Sequence, residues 1–129
     1  MNISPNKVTI DLSALQDNLV KIRKLVDKKT KITGIVKSDA YGHGLIPIAR
    51  ELEKHHIDSL ALDYLSEAIK LRTTGIKLPV VILLGIGTSQ EAKKVADYNL
   101  TPVIYDVDSA RMLSDEGKKR KSHQGVLKN

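Results

Sequence analysis

The sequence predicts an α/β protein, the N-terminal portion of a (β/α)8 TIM-type barrel truncated before the barrel closes, and three observations carry that expectation. Four short apolar, β-rich runs, at 32–36, 59–62, 80–84 and 101–105, begin 27, 21 and 21 residues apart, room each time for a strand, a turn and a helix. Within these runs the apolar residues are nearly continuous, as in strands of a parallel sheet covered by helices. No G-x-G-x-x-G loop follows the first of them, so a barrel is preferred to a dinucleotide-binding doubly wound sheet. Eight such units need on the order of 200 residues or more, and 129 residues supply about half.

The elements follow in order. Val8 and Ile10 alternate with Thr9 and Asp11 as in a short strand. Leu12, Leu15, Leu19, Ile22 and Val26 then recur at helical spacing, behind a cap at Asp11 or Ser13. After the first run, Leu45, Ile48, Ala49 and Leu52 share one helical face, with Pro47 tolerated in the first turn. The next helix runs from about Leu65 to a stop at Gly75. A third spans about Gln90 to Asp97 behind a cap at Ser89, and a fourth starts near Asp108 or Ser109 and ends by Gly117. Lys118, Lys119, Arg120 and Lys121 then read as a solvated loop, and Gly125, Val126 and Leu127 as the start of a fifth strand.

Composition narrows the classes of function. Without cysteine there are no disulfides, no thiolate zinc sites and no thiol catalysis, which suits a reducing, cytoplasmic setting. The N-terminus carries no apolar run of a secretory signal, and no stretch approaches the ~20 apolar residues of a membrane span, so no membrane partner is expected. The formal charge of +6 is spread among acidic residues, and with four Tyr and no Phe or Trp the means to stack nucleic-acid bases are nearly lacking. No nucleic-acid partner is expected.

Chemistry concentrates in residues 34–44, G-I-V-K-S-D-A-Y-G-H-G. Lys37 closes the first strand of the repeat, and in a barrel the carboxyl ends of strands carry the catalytic groups. Partial desolvation there favours the uncharged amine, a nucleophile toward a carbonyl cofactor. Gly42 and Gly44 let the backbone around His43 approach a ligand, and Tyr41 follows Lys37 closely enough to reach the same pocket. Each residue also has a plainer reading: Lys37 as a solvated boundary residue, the glycines as a turn, His43 as a local cap. The adjacent His55 and His56 point apart on a helix and make a poor metal pair, so no metal is expected. Residues 85–89 either present amides to an anion or form an ordinary loop with a capping Ser.

The run V-K-S-D-A-Y-G-H-G at 36–44 closely resembles the cofactor-lysine signature of the alanine racemases. I-D-L-S-A-L-Q-D-N-L at 10–19 resembles that family's opening segment. S-E-A-I-K-L-R-T-T-G-I at 66–76 and P-V-V-I-L-L-G at 79–85 resemble later ones, the last with one extra apolar residue. The similarity extends to about Tyr105 and is poor past Ser109. It implies that residues 1–129 are a partial N-terminal, cofactor-binding barrel domain without the family's C-terminal β domain.

The resemblance implies that Lys37 binds pyridoxal 5'-phosphate as an aldimine and then acts as one of two acid/base groups at the substrate α-carbon. Tyr41 and Leu84 match cofactor-contacting positions. The implied activity is interconversion of L- and D-alanine for cell-wall synthesis by a cytoplasmic homodimer. The family's second base, a Tyr supplied by the partner subunit, has no match among Tyr41, Tyr64, Tyr98 and Tyr105. An Arg-bearing cofactor segment, the later phosphate loops and the Arg facing the pyridine nitrogen have none either, and Asp39 is no substitute for that Arg. The 129-residue chain alone is therefore expected to be inactive. Two alternatives stand beside this: a racemase for another small amino acid such as serine, and a non-catalytic cofactor-binding or interaction module.

Overall fold

Asp11, just ahead of the first helix, accepts the Ser13 and Ala14 amides at 2.9 and 3.2 Å and the Ser13 hydroxyl at 2.6 Å. Asp11 is thus the cap of α1 (Leu12–Leu25), with Ser13 a donor to it. The computed structural model describes residues 5–126. After α1 come β1 (Thr33–Ile35), α2 (Lys37–Tyr41), α3 (Leu45–Lys54), β2 (Ser59–Leu62), α4 (Leu65–Thr73), β3 (Val80–Ile82), α5 (Ser89–Asp97), β4 (Thr101–Pro102) and α6 (Val107–Val126). The four strands form one sheet in the order β1-β2-β3-β4, every neighbouring pair parallel. Successive β/α units laid side by side are the arrangement of a barrel wall, as the sequence predicts.

One face of the sheet makes the core. Leu60, Leu62, Val80 and Ile82 are fully buried and cluster with Leu45, Leu52, Leu71 and Val95 from the helices. On the other face Ile35 is in register with Ala61, Val81 and Thr101 and remains 43% exposed, while the Thr33 and Ser59 hydroxyls hydrogen-bond at 2.7 Å. Gly34 belongs to the helix side: a Cβ there would lie 2.9 Å from Ile57 and 3.0 Å from Leu52, so α3 packs closely on β1 because this residue has no side chain.

Polar clamps fix the opposite end of the sheet. Arg72, at the end of α4, donates to the carbonyls of Ile76, Leu78, Tyr98 and Asn99, joining the approaches to β3 and β4. Its burial pulls its pKa down, and the charge of Glu53 opposes that shift. Asp58 accepts the Ile32 amide at 2.7 Å and the Arg23 guanidinium at 2.9 Å, tying α1 to the start of the first two strands.

Several expectations need correction. Val8 and Ile10 form no strand, and Val8 is 83% exposed, because alternation makes a strand only where a neighbouring edge offers hydrogen bonds. The first, third and fourth strands are shorter than the apolar runs that mark them. The cap of α5 is Thr88 rather than Ser89, since Thr88 and Glu91 form a reciprocal capping box. Beyond Gly117 the chain stays helical, so Lys118, Lys119, Arg120 and Lys121 lie on α6 and not in a loop. Arg120 explains this: it pairs with Glu116 one turn back at 3.0 Å and with Asp97 of α5 at 2.6 Å, offsetting the ~1 kcal/mol that an internal glycine costs. Gly125 and Val126 end that helix instead of opening a fifth strand, and Leu127 lies outside the described residues.

Candidate functional site at the carboxyl ends of the strands

Val36 prolongs β1 by one residue, its amide donating to Ala61 at 2.8 Å and its side chain almost wholly buried. Lys37 follows, and the chain then turns the wrong way for L-amino acids. Ser38, Asp39, Ala40 and Tyr41 have φ of 52°, 55°, 53° and 56°, so the short element α2 is a left-handed helical turn. Such a turn costs about 1–2 kcal/mol per non-glycine residue, hence on the order of 4–8 kcal/mol here.

Hydrogen bonds hold it. The Ala40 amide donates to Val36, Gly42 to Ser38 and Gly44 to Asp39, at 3.0, 3.1 and 2.9 Å. The Asp39 carboxylate accepts the Leu45 amide at 2.8 Å, and Glu67 of α4 receives the Asp39 amide at 3.4 Å. The buried Ala40 anchors the turn to the core. Asp39 is therefore engaged in holding backbone. His43 places Nδ1 2.8 Å from the Ala40 carbonyl, the local capping arrangement.

The Lys37 side chain keeps 38% of its surface in solvent and its Nζ lies 3.5 Å from Asp63, whose side chain is 20% exposed. The desolvation expected of a strand-end lysine is thus partial, and the amine has an anionic neighbour. Asp63 directly follows β2, and its carbonyl accepts the Leu84 amide at 3.3 Å. Lys37, Asp63 and Leu84 accordingly form a series across the carboxyl ends of β1, β2 and β3. Leu84 is 56% exposed and available to an apolar ligand surface. Beside it the Tyr105 hydroxyl donates to the Leu83 carbonyl at 2.6 Å.

Tyr41 is 59% exposed and, with His43, borders a groove of about 510 Å³ running between α1, β1 and α3. Leu15, Leu19, Ile35 and Leu52 line it, so its character is apolar. Lys37 and Leu84 are linked through Asp63, while Tyr41 opens on this groove. The donor set fits an aldehyde cofactor with a flat ring: one amine within reach of solvent, one exposed phenol and one exposed apolar side chain.

The loop at 85–89 is no free anion cradle. The Gly87 and Thr88 amides both donate to Glu91 Oε2, at 2.8 and 3.1 Å, so the chain's own carboxylate takes them. His55 pairs with Glu51 at 2.8 Å, and among the described residues no group of three or more His, Asp or Glu is placed to hold a metal. Sequence reasoning missed Asp63. Its signal was available, since it closes the second apolar run as Lys37 closes the first.

Comparison with known proteins agrees with this fold. The family described as alanine racemase, N-terminal domain, matches residues 10–128. The chain is 44% identical to an alanine racemase of Syntrophobacter fumaroxidans over 111 residues, 86% of this chain and 29% of that protein. It is 43% identical over 120 residues to one of Methylacidiphilum infernorum, covering 90% of this chain and 31% of that protein. Among solved structures, alanine racemase of Clostridium difficile 630 superposes with a TM-score of 0.79 at 34% identity, covering 85% of this chain and 28% of that one. The chain thus spans about 30% of the length of the curated relatives it matches.

Proposed function

Since the chain belongs to the alanine racemase family, as a part of its N-terminal domain, we propose that it is the cofactor-lysine portion of a pyridoxal-phosphate-dependent isomerase that interconverts L- and D-alanine. The observation that carries this reading is the Lys37 amine, partly exposed at the carboxyl end of β1 and led into the left-handed turn.

Lys37 Nζ would hold pyridoxal phosphate covalently, and once the substrate amine had displaced Nζ from the cofactor carbon the group would supply an electron sink for the substrate α-carbon. The Lys37 amine, released by that exchange, would then remove or return a proton on one face of that carbon. Leu84 offers an apolar surface to the cofactor ring, and Tyr41 a phenol that hydrogen-bonds its phosphate. Racemisation needs a second acid/base group on the opposite face, and in this proposal that group is a Tyr supplied by the partner subunit of a homodimer. The complete protein, in this proposal, is a cytoplasmic enzyme. No helix among the described residues is long and apolar enough to cross a membrane.

The test is borohydride reduction of the chain mixed with pyridoxal phosphate, followed by peptide mapping. The label is expected chiefly on Lys37. Label spread over other lysines, with Lys37 no more modified than they are, overturns the assignment.

A further inference from the structure

We infer that Asp63 is a positioning residue for Lys37, holding the amine over the end of β2 so that it meets a carbonyl carbon in one orientation; this rests on the reading of Lys37 as the cofactor lysine. Three features of the pair set it apart. It joins the carboxyl ends of two adjacent parallel strands, whereas Lys31–Asp58 lies at their amino ends and Lys54–Glu51, Lys93–Asp97 and Lys118–Asp115 are pairs within one helix. Those three lysine side chains are 69%, 65% and 76% exposed, and Lys31, paired with Asp58, is 81% exposed, against 38% for Lys37. The carboxylate itself sits on fixed backbone: Leu62 accepts the Leu83 amide at 2.7 Å and Asp63 the Leu84 amide at 3.3 Å, which locks the residue between β2 and β3.

The physical consequence is a loss of freedom. A lysine side chain has four methylenes and a large rotamer entropy, most of which must be surrendered before its nitrogen attacks. A carboxylate 3.5 Å away, carried on backbone that is paired to the end of β3, takes up part of that cost in the folded state. It holds Nζ toward the carboxyl end of β2. Among the described residues Lys37 is the partner the Asp63 carboxylate has.

The full chain, D63N and D63E are each reacted with pyridoxal phosphate over a pH series, reduced with borohydride and mapped, with label on the surface residue Lys93 as internal reference, and the ratios are compared at equal fractions of uncharged amine because the carboxylate also favours the charged, unreactive ammonium. Pyridoxal, which lacks the phosphate, runs in parallel to remove any repulsion between Asp63 and that group. With both aldehydes D63N is expected to lower the Lys37-to-Lys93 ratio about three- to fivefold, the ratio corresponding to a partly exposed ion pair. D63E should restore most of it, which a purely structural role would not require. Should D63N melt at the assay temperature, D63S replaces it. An unchanged or higher ratio in the neutral variant with pyridoxal, or no recovery in D63E, overturns the inference while Lys37 remains the labelled site. Failure of the unsubstituted chain to label Lys37 overturns the cofactor reading instead.

Discussion

Asp39 fastens the left-handed turn to the following helix through Leu45: its Oδ1 accepts the Leu45 amide at 2.8 Å, across the two glycines that separate them. One side chain thus serves both the segment that aims Lys37 and the first turn of α3, whose adjoining Gly44 supplies no side-chain cap.

Asp39→Ala is therefore expected to cost about 1–2 kcal/mol, the upper range for loss of a helix cap, because the same bond restrains a strained turn. Urea denaturation followed by circular dichroism reads the change. Asp39→Asn, which keeps an oxygen acceptor, should lose less than half of that.

Gly85 and Gly75 should respond unequally to alanine. Both have positive φ, 70° and 94°, but a Cβ at Gly85 would lie 2.6 Å from the Val103 carbonyl and 3.4 Å from the Tyr105 ring, while nothing lies within 4 Å at Gly75. Gly75→Ala is expected to cost about 1–2 kcal/mol from backbone strain, and Gly85→Ala about 2–5 kcal/mol with overpacking added. Thermal melts of the two variants side by side check the ranking.

Thr88→Ala is expected to cost about 1 kcal/mol, as the capping box of α5 loses the hydroxyl that accepts the Glu91 amide at 3.2 Å. Ser89→Ala, at the position the sequence suggested as cap, should be nearly silent. Equal effects of the two in thermal melts would contradict the geometry.

The Asp58 carboxyl has its pKa pulled down to about 2 from an ordinary 3.8, first by the Ile32 amide and next by Arg23. A depressed carboxylate contributes stability that is complete above its unfolded value and vanishes as pH falls through its folded value. The contribution should therefore be whole above pH 4 and fade between about 4 and 2. Melting temperatures across that window should converge for the unsubstituted chain and Asp58→Asn as the pH drops, and stay apart above it. A constant gap across the window would contradict the assignment.

Much of the fold was legible because its causes are local. Leu45, Ile48, Ala49 and Leu52 are all buried on one side of α3, as their spacing requires, and the four apolar runs became four parallel strands in sequence order. The ends were less legible. Gly117 looked like a stop until Asp97, twenty residues earlier, was seen to hold Arg120 and carry α6 through it. The cap of α5 shifted by one residue because Thr88 and Ser89 are chemically alike, and the position of Glu91 decided between them.

By itself the sequence determined that Lys37 stands at the carboxyl end of an apolar run, that a glycine-bearing turn follows and that β/α units repeat, since hydrophobic period and turn composition are properties of neighbouring residues. The tertiary structure alone decided what surrounds the amine. Lys37 and Asp63 meet because β1 and β2 pair in the register Ile35 to Ala61, and a slip of one residue would turn every side chain of a strand to the other face. The left-handed turn was likewise beyond sequence reasoning, for Ser38, Asp39, Ala40 and Tyr41 prefer negative φ, and their positive values persist because Val36, Leu45 and Glu67 bond to them from three separate elements.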